Sequence, residues 1–345
     1  MQVPLRLGET GHSVSAAATT AMAFAAAFVL VALATRYVLR LLLERQIFDM
    51  PNKRSSHSHP VPRGGGLGVM AGLLPVLAAI AVMSHDPRAL WFVPGLILLI
   101  FVSWRDDRTS QSAWLRLACQ TMAAAIALMA LPDSMLVFQG VAPLLLDRFL
   151  AVVFWIWFIN LTNFMDGIDG ITGIELGSIG LGIVAVTLSL AIPDVALAPY
   201  AAATGGAAAG FLVWNWHPAK LFLGDVGSVP LGFLAGGLLI LLAAHGAYLP
   251  ALILPAYYLA DATLTLFWRL ARGEPVMQAH RQHWYQRAAS RIGHPHTVLA
   301  ILGLNVLLVV LAMDSLAHPI RALLAAIAAV AMLLGWMSAM ARKRS

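Results

Sequence analysis

Residues 148–192 read RFLAVVFWIWFINLTNFMDGIDGITGIELGSIGLGIVAVTLSLAI, two long apolar runs separated by a short stretch of aspartate and glycine. A helix rises 1.5 Å per residue and needs about 20 apolar residues to cross the hydrocarbon of a bilayer. The runs at 148–164 and 171–192 are therefore spans, and the polar stretch between them sits at one membrane face. Nine further runs have the same character, at 20–43, 65–83, 89–104, 114–132, 199–214, 230–247, 249–268, 297–312 and 320–340. The expected fold is all-α and polytopic, with about 11 transmembrane helices. Those at 89–104, 199–214 and 297–312 are short, and those at 230–247 and 249–268 share a tight turn at Ala247–Pro250. Residues 1–19 form a polar tail without the marks of a cleaved signal, 20–340 a single transmembrane domain, and 341–345 a basic tail.

Composition agrees. Of 345 residues, 60% are hydrophobic and 11% charged, where a soluble domain carries about a quarter charged. Basic residues concentrate on one face. With the N-terminus periplasmic and the C-terminus cytoplasmic, 18 of the 22 lysines and arginines lie inside, leaving Arg6, Arg88, Arg148 and Arg321 outside. The net charge of +6 is thus topology and phosphate handling, and nucleic-acid binding is a poor reading. The one cysteine, Cys119, lies in an apolar run and forms no intramolecular disulfide.

The residues that carry chemistry share the inner face. Asp106 and Asp107 end the third span in SWRDDRTS; neighbours on a helix point about 100° apart, so one of the two faces a shared site. An interfacial pair neutralised by Arg105 and Arg108 is the plainer alternative. Asn163, Asp166 and Asp169 stand in NFMDGIDG, where the glycines suggest a turn bringing backbone close to a nucleotide, a metal or both. Asp225 lies between glycines in LFLGDVGS, a setting suited to a hard cation with phosphate oxygens as co-ligands. Arg54 and Arg63 in the loop 44–64 are placed to neutralise a phosphate at headgroup level. The loop 269–296 carries Arg281, His283 and Arg287, the last two on one face if helical, followed by His294 and His296. Zinc ligation is conceivable for its histidine pairs, but no cysteine cluster supports it and the carboxylates favour magnesium. Asp261, inside a span, is costly there and so functional by default, an architectural role being as well supported as a catalytic one.

Together, in this order, Asp106-Asp107, NFMDGIDG, FLGDVGS and a basic histidine loop resemble the polyprenyl-phosphate N-acetylhexosamine-1-phosphate transferases, over roughly residues 20–312. The resemblance implies transfer of a sugar 1-phosphate from a UDP-sugar to undecaprenyl phosphate at the bacterial inner membrane, with UMP released. It also implies a magnesium requirement that manganese can meet, and leaves a homodimer open. By motif position it implies Asp106, Asp107 and His283 as catalytic, Asp225 with Asp107 at the metal, and Asn163, Asp166 and Asp169 on the nucleotide side. At 282–287 the chain reads QHWYQR rather than a closely spaced histidine run, with Tyr285 and Gln286 following His283. That variant resembles the O-antigen-initiating branch that uses 6-deoxy sugars such as N-acetylfucosamine or N-acetylquinovosamine. A secondary transporter fits less well, because transporter ion sites lie near the bilayer midplane and these carboxylates lie at helix ends. The long motif of the CDP-alcohol phosphatidyltransferases is absent.

Overall fold

The computed structural model describes residues 8–50, 59–190, 194–275 and 280–342, residues 8–15 by their backbone alone. Among them, helix α1 spans Gly8–Glu44 and leads to a short antiparallel ribbon, β1 (Phe48–Asp49) with β2 (Val61–Pro62). There follow α2 (Gly66–Ser84), α3 (Ala89–Arg108), α4 (Ala113–Leu128), α5 (Leu144–Met165), α6 (Ile171–Ser189), α7 (Leu197–Asn215) and α8 (Asp225–Ala244). The chain closes with α9 (Tyr248–Ile253), α10 (Ala256–Ala271), α11 (Trp284–Ile292), α12 (His294–Asp314) and α13 (Pro319–Arg342).

Each expected span has a helical counterpart, with corrections. Eight described helices are long and apolar enough to cross a membrane: α1 from Ala16, α2, α3, α5, α6, α8, α12 and α13. The span expected at 249–268 is broken into α9 and α10, because Pro255 has no N–H to continue the ladder from Ala251. Helix α1 starts at Gly8, inside the stretch read as a tail. The loop 269–296 contains α11, whose inward residues Tyr285, Ala288 and Ala289 recur at helical spacing. His283 is the residue before that helix, at φ −56° and ψ 146°, so His283 and Arg287 do not share a helical face.

Helix α8 is the axis of the bundle. Every residue from Val226 to Ala243 is buried, as an all-round apolar helix requires. Trp155 of α5 stacks on Phe233 of α8 at 5.0 Å and donates from Nε1 to the Phe233 carbonyl. Gly66, the first residue of α2, lies so close to α8 that a Cβ there would meet the Gly227 nitrogen at 2.2 Å. That approach brings the start of α2 against the start of α8.

At the bundle end away from the motifs, Arg88 donates from Nε to Asp86 at 2.8 Å and from Nη2 to Asp194 at 2.9 Å. His245 Nε2 adds a 2.9 Å contact to Asp194, so three connections are tied together. Burial opposes the charge on Asp194, but the bonds from His245 and Arg88 outweigh it and hold its carboxyl below the usual range. A carboxylate with a lowered folded pKa contributes stability that is whole above its unfolded value, about 3.9, and is lost as pH falls through the folded value. Replacing Arg88 with methionine should therefore lower unfolding free energy in detergent by about 3 kcal/mol at pH 7. The difference from wild type should shrink in acid, which denaturant titrations at several pH values would test.

Candidate active site

The motif ends of the helices meet at one end of the bundle. The loop bearing Arg63 is zipped onto the chain entering α8: the Phe222 N–H donates to the Pro62 carbonyl at 2.8 Å, and the Gly65 N–H to the Phe222 carbonyl at 2.9 Å. Gly224 then turns with φ +75°, a conformation that favours glycine, and α8 begins at Asp225. This geometry sets the Arg63 guanidinium 2.9 Å from Asp107 Oδ1 and 3.0 Å from Asp225 Oδ1. Asp107, at the end of α3, also accepts from the Asp225 N–H at 3.1 Å and the Val226 N–H at 3.0 Å. It caps α8 from another helix, where a carboxylate is favoured by the orphan N–H groups and the helix dipole. Burial alone would weaken the charge on Arg63; the fields of Asp107, Asp225 and Asp49 more than offset it and hold the guanidinium above its ordinary value.

Asp106 and Asp107 part company, as their angular separation requires. Asp106 turns to Arg116 of α4 at 2.8 Å and accepts from the Gln111 N–H, so its partner is neither Arg105 nor Arg108. Arg116 lies 3.9 Å from Asp225 Oδ2, which links both halves of the centre. The arginine side chains are about two-fifths exposed, the carboxylates far less. The centre thus presents cations to incoming anions above a row of carboxylates.

Asn163 lies in the last turn of α5, and Asp166 to Gly170 form a turn rather than a helix, so Asp166 and Asp169 do not share a helical face. Asn163 Nδ2 donates to Ser228 Oγ of α8 at 2.9 Å, tying the end of α5 to the Asp225 element. Asp166 accepts from Thr172 Oγ1 at 2.6 Å. Burial pushes its carboxyl up to about 6, more than the Thr172 bond and the Arg63 field can offset. Asp169 instead meets His217, His294 and the Ala219 N–H, and the two histidines hold its carboxyl below the ordinary value against the effect of burial. A raised folded pKa means the charged form is disfavoured in the fold, so stability declines as pH rises from about 4 to about 6. An Asp166→Asn protein, without divalent cation, should gain on wild type over that interval and stay level above it, while turnover drops. A variant less stable than wild type at pH 7.5 would contradict this account of Asp166.

His283 lies elsewhere. Its side chain is 4% exposed, Nδ1 is 3.0 Å from Asp261 Oδ1, and its ring stacks between His280 and Tyr285. Asp261 also accepts from the Trp284 and Tyr285 N–H groups at 3.1 Å, and from Tyr257 and Thr265 at 3.2 Å. Asp261, expected inside a span, is thus satisfied by five donors and caps α11. Tyr285 donates to the Phe164 carbonyl at 3.0 Å, and a Cβ at Gly167 would meet its hydroxyl at 2.2 Å. The histidine loop therefore buttresses the end of α5 and the Asp166–Gly170 turn from behind. Arg281 is exposed and Arg287 half-buried, neither with a side-chain partner among the described residues. Arg54 lies outside the described residues. Sequence reasoning did not single out Arg116, Asn215 or His217. Asn215 accepts from the Gly170 N–H and donates to the Leu221 carbonyl, joining the Asp169 and Asp225 motifs.

The donor set at this centre fits a hard divalent cation. Asp107 and Asp225 are carboxylates already sharing one cationic group, and oxygen donors of this kind suit magnesium.

A helical membrane bundle that gathers arginines and carboxylates at helix ends has the architecture of an integral-membrane transferase acting on phosphates. Glycosyl transferase family 4 matches residues 89–243, the stretch that contains Asp106, Asp107, Asn163, Asp166, Asp169 and Asp225. The chain is 26% identical over 294 residues to a probable undecaprenyl-phosphate N-acetylglucosaminyl 1-phosphate transferase of Bacillus subtilis, covering 81% of this chain and 80% of the relative. It is 29% identical over 345 residues to the decaprenyl-phosphate N-acetylglucosaminephosphotransferase of Mycolicibacterium smegmatis, covering 87% and 82%. A third relative, the undecaprenyl-phosphate alpha-N-acetylglucosaminyl 1-phosphate transferase of Yersinia pestis, is 29% identical over 252 residues, covering 69% and 68%. The chain is similar to glycosyl transferase family 4 over that stretch and to these polyprenyl-phosphate transferases over most of its length, and it is a sugar-phosphate transferase.

Proposed function

We propose that the protein transfers N-acetylhexosamine 1-phosphate from a UDP-sugar to undecaprenyl phosphate on the cytoplasmic face of a bacterial inner membrane, initiating O-antigen or another envelope polysaccharide. The observation that carries this reading is the Arg63 guanidinium held between Asp107 and Asp225 at the start of α8. The three relatives support the substrate class. The cytoplasmic orientation is supported by charge: Arg63, Arg105, Arg108, Arg116 and Arg269 lie at or beside the motif ends of their helices, whereas Arg88, Arg148 and Arg321 lie near the opposite ends.

The acceptor phosphate is anchored in the bilayer and the donor diphosphate comes from water, so they can meet only at a helix-end site. Arg63 and Arg116 neutralise phosphate oxygens there, and the held carboxylates keep the guanidinium groups in place. An acceptor phosphate oxygen forms a bond to the sugar-bearing phosphorus while the bond from that phosphorus to the UMP oxygen breaks. UMP leaves with that electron pair. One phosphoanhydride replaces another, so the reaction is close to reversible. Asp107 is committed to two backbone N–H groups and Arg63, and Asp106 to Arg116 and the Gln111 N–H. Carboxylates so engaged make poor nucleophiles, which supports direct attack by the lipid phosphate over a phospho-enzyme. Either is needed as a base only for the monoprotonated acceptor. Magnesium would be held by Asp225 with Asp107 beside it, and when bound it neutralises charge on the diphosphate oxygens. His283 acts through Asp261 and Tyr285 on the position of the end of α5 and the Asp166–Gly170 turn. The sequence around Tyr285 and Gln286 supports a 6-deoxy donor, UDP-N-acetylfucosamine or UDP-N-acetylquinovosamine.

The test is to incubate purified protein with undecaprenyl phosphate, magnesium and a panel of labelled UDP-N-acetylhexosamines, reading UMP release and labelled lipid. Absence of lipid product with every sugar would overturn the reaction class. Trapping phosphate on Asp106 with UDP-sugar alone would overturn direct attack.

A further inference from the structure

We propose that Asp169, His217 and His294 form a binding site for a borderline transition-metal dication of the zinc type, separate from the hard-cation centre at Asp225. The three residues come from three segments: the turn between α5 and α6, the connection from α7 to α8, and the first residue of α12. One ligand atom from each lies within 4.8 Å of the others. Among the described residues, no other group of three or more such side chains converges in this way.

The spacing suits an ion. A tetrahedral zinc with bonds of about 2.0–2.1 Å places its ligand atoms about 3.3 Å apart. His294 Nδ1 stands 3.3 Å from Asp169 Oδ2, and His217 Nδ1 stands 2.6 Å from the same oxygen. The second contact needs to open by about 0.7 Å, a small rotation of a side chain that is 41% exposed. The two imidazoles sit edge to face, with centroids 5.1 Å apart, so both Nδ1 atoms address the carboxylate without a ring clash. The Ala219 N–H, 3.1 Å from Asp169 Oδ2, orients the carboxylate from behind. Two nitrogens and a carboxylate select zinc, cobalt or nickel over magnesium, and three protein ligands leave a fourth position for water.

The histidine pairs expected inside the loop 269–296 are thereby redistributed. His283 is taken by Asp261, and His296 is exposed with Nδ1 on the Ile292 carbonyl. His294 alone reaches across to a histidine from another connection. An ion here clamps the turn that carries Asp166 and Asp169 to α12 and to the segment entering α8.

The experiment uses the full chain, untagged, in detergent after chelation, with zinc alone titrated against a chromophoric competitor and cobalt alone followed by visible absorption. The expected result is one tight equivalent that excess magnesium does not displace, a raised melting temperature, and intense cobalt bands of tetrahedral type. Those bands should lack thiolate character, since the single Cys119 is buried elsewhere. His217→Ala and His294→Ala should each weaken zinc binding by roughly a hundredfold, and His296→Ala should leave it unchanged. Displacement by magnesium, a weak octahedral cobalt spectrum in wild type, or unaltered binding in a folded double variant would each overturn the site. Because binding is read without turnover, this outcome is independent of the proposed transfer reaction.

Discussion

An Asp225→Asn protein will fold and insert normally yet lose turnover by about 10³-fold. Asparagine keeps the size of the side chain at the start of α8, so the packing of Gly66 on Gly227 and the capping of α8 by Asp107 survive. What disappears is one of the two charges facing Arg63 and, in the proposed mechanism, the principal magnesium ligand. Loss of one preorganised electrostatic element at a reacting phosphate costs about 3–4 kcal/mol of barrier, and loss of a metal position costs at least as much. Initial rates of UMP release at saturating magnesium, with circular dichroism and melting temperature as controls, decide the point. Near wild-type turnover in a well-folded Asp225→Asn protein would remove Asp225 from the centre.

The second large effect is structural. Asp261 accepts from Tyr257, Thr265, His283 and the Trp284 and Tyr285 N–H groups, fully buried. Alanine there leaves five donors without an acceptor, at about 3–5 kcal/mol of unfolding free energy. The loss should propagate along a defined route: α11 loses its cap, Tyr285 loses its seat under the Phe164 carbonyl, and the Asp166–Gly170 turn loosens. A His283→Ala protein should reproduce part of the activity loss through the same route, with the apparent KM for the nucleotide sugar rising more than kcat falls. Equal unfolding midpoints for wild type and Asp261→Ala would refute the hub. A His283→Ala change confined to kcat would instead restore His283 as a catalytic residue.

Much of this centre is written in short local motifs. Asp106-Asp107, Asn163 to Gly170 and Leu221 to Ser228 each stand where an apolar run ends, because hydrophobicity sorts the chain into spans and interfaces and leaves polar chemistry only at the ends. The angular rule for adjacent helical residues separated Asp107 from Asp106 before any contact was known. Local reading failed where a partner came from far along the chain. His217 lies 48 residues from Asp169, and His283 lies 22 from Asp261. Nothing in either neighbourhood shows that one histidine would be sealed inside the bundle and the other left half open beside a carboxylate. Arg116 read as an ordinary inner-face anchor until α4 brought it between Asp106 and Asp225.

By itself, then, the sequence determined that this is a helical polytopic membrane protein, which ends of its helices carry the acidic and basic motifs, and the reaction class those motifs resemble. Those properties follow from apolar run length, charge count and residues adjacent in the chain, which need no knowledge of packing. Only the tertiary structure decided that Arg63 is shared by Asp107 and Asp225, that the buried Asp261 caps α11, and that His283 is buried while His294 meets His217 and Asp169. Each of these depends on which helix ends are neighbours. That is settled by the way α2, α3 and α5 pack around the fully buried α8, through contacts such as Gly66 on Gly227 and Trp155 on Phe233.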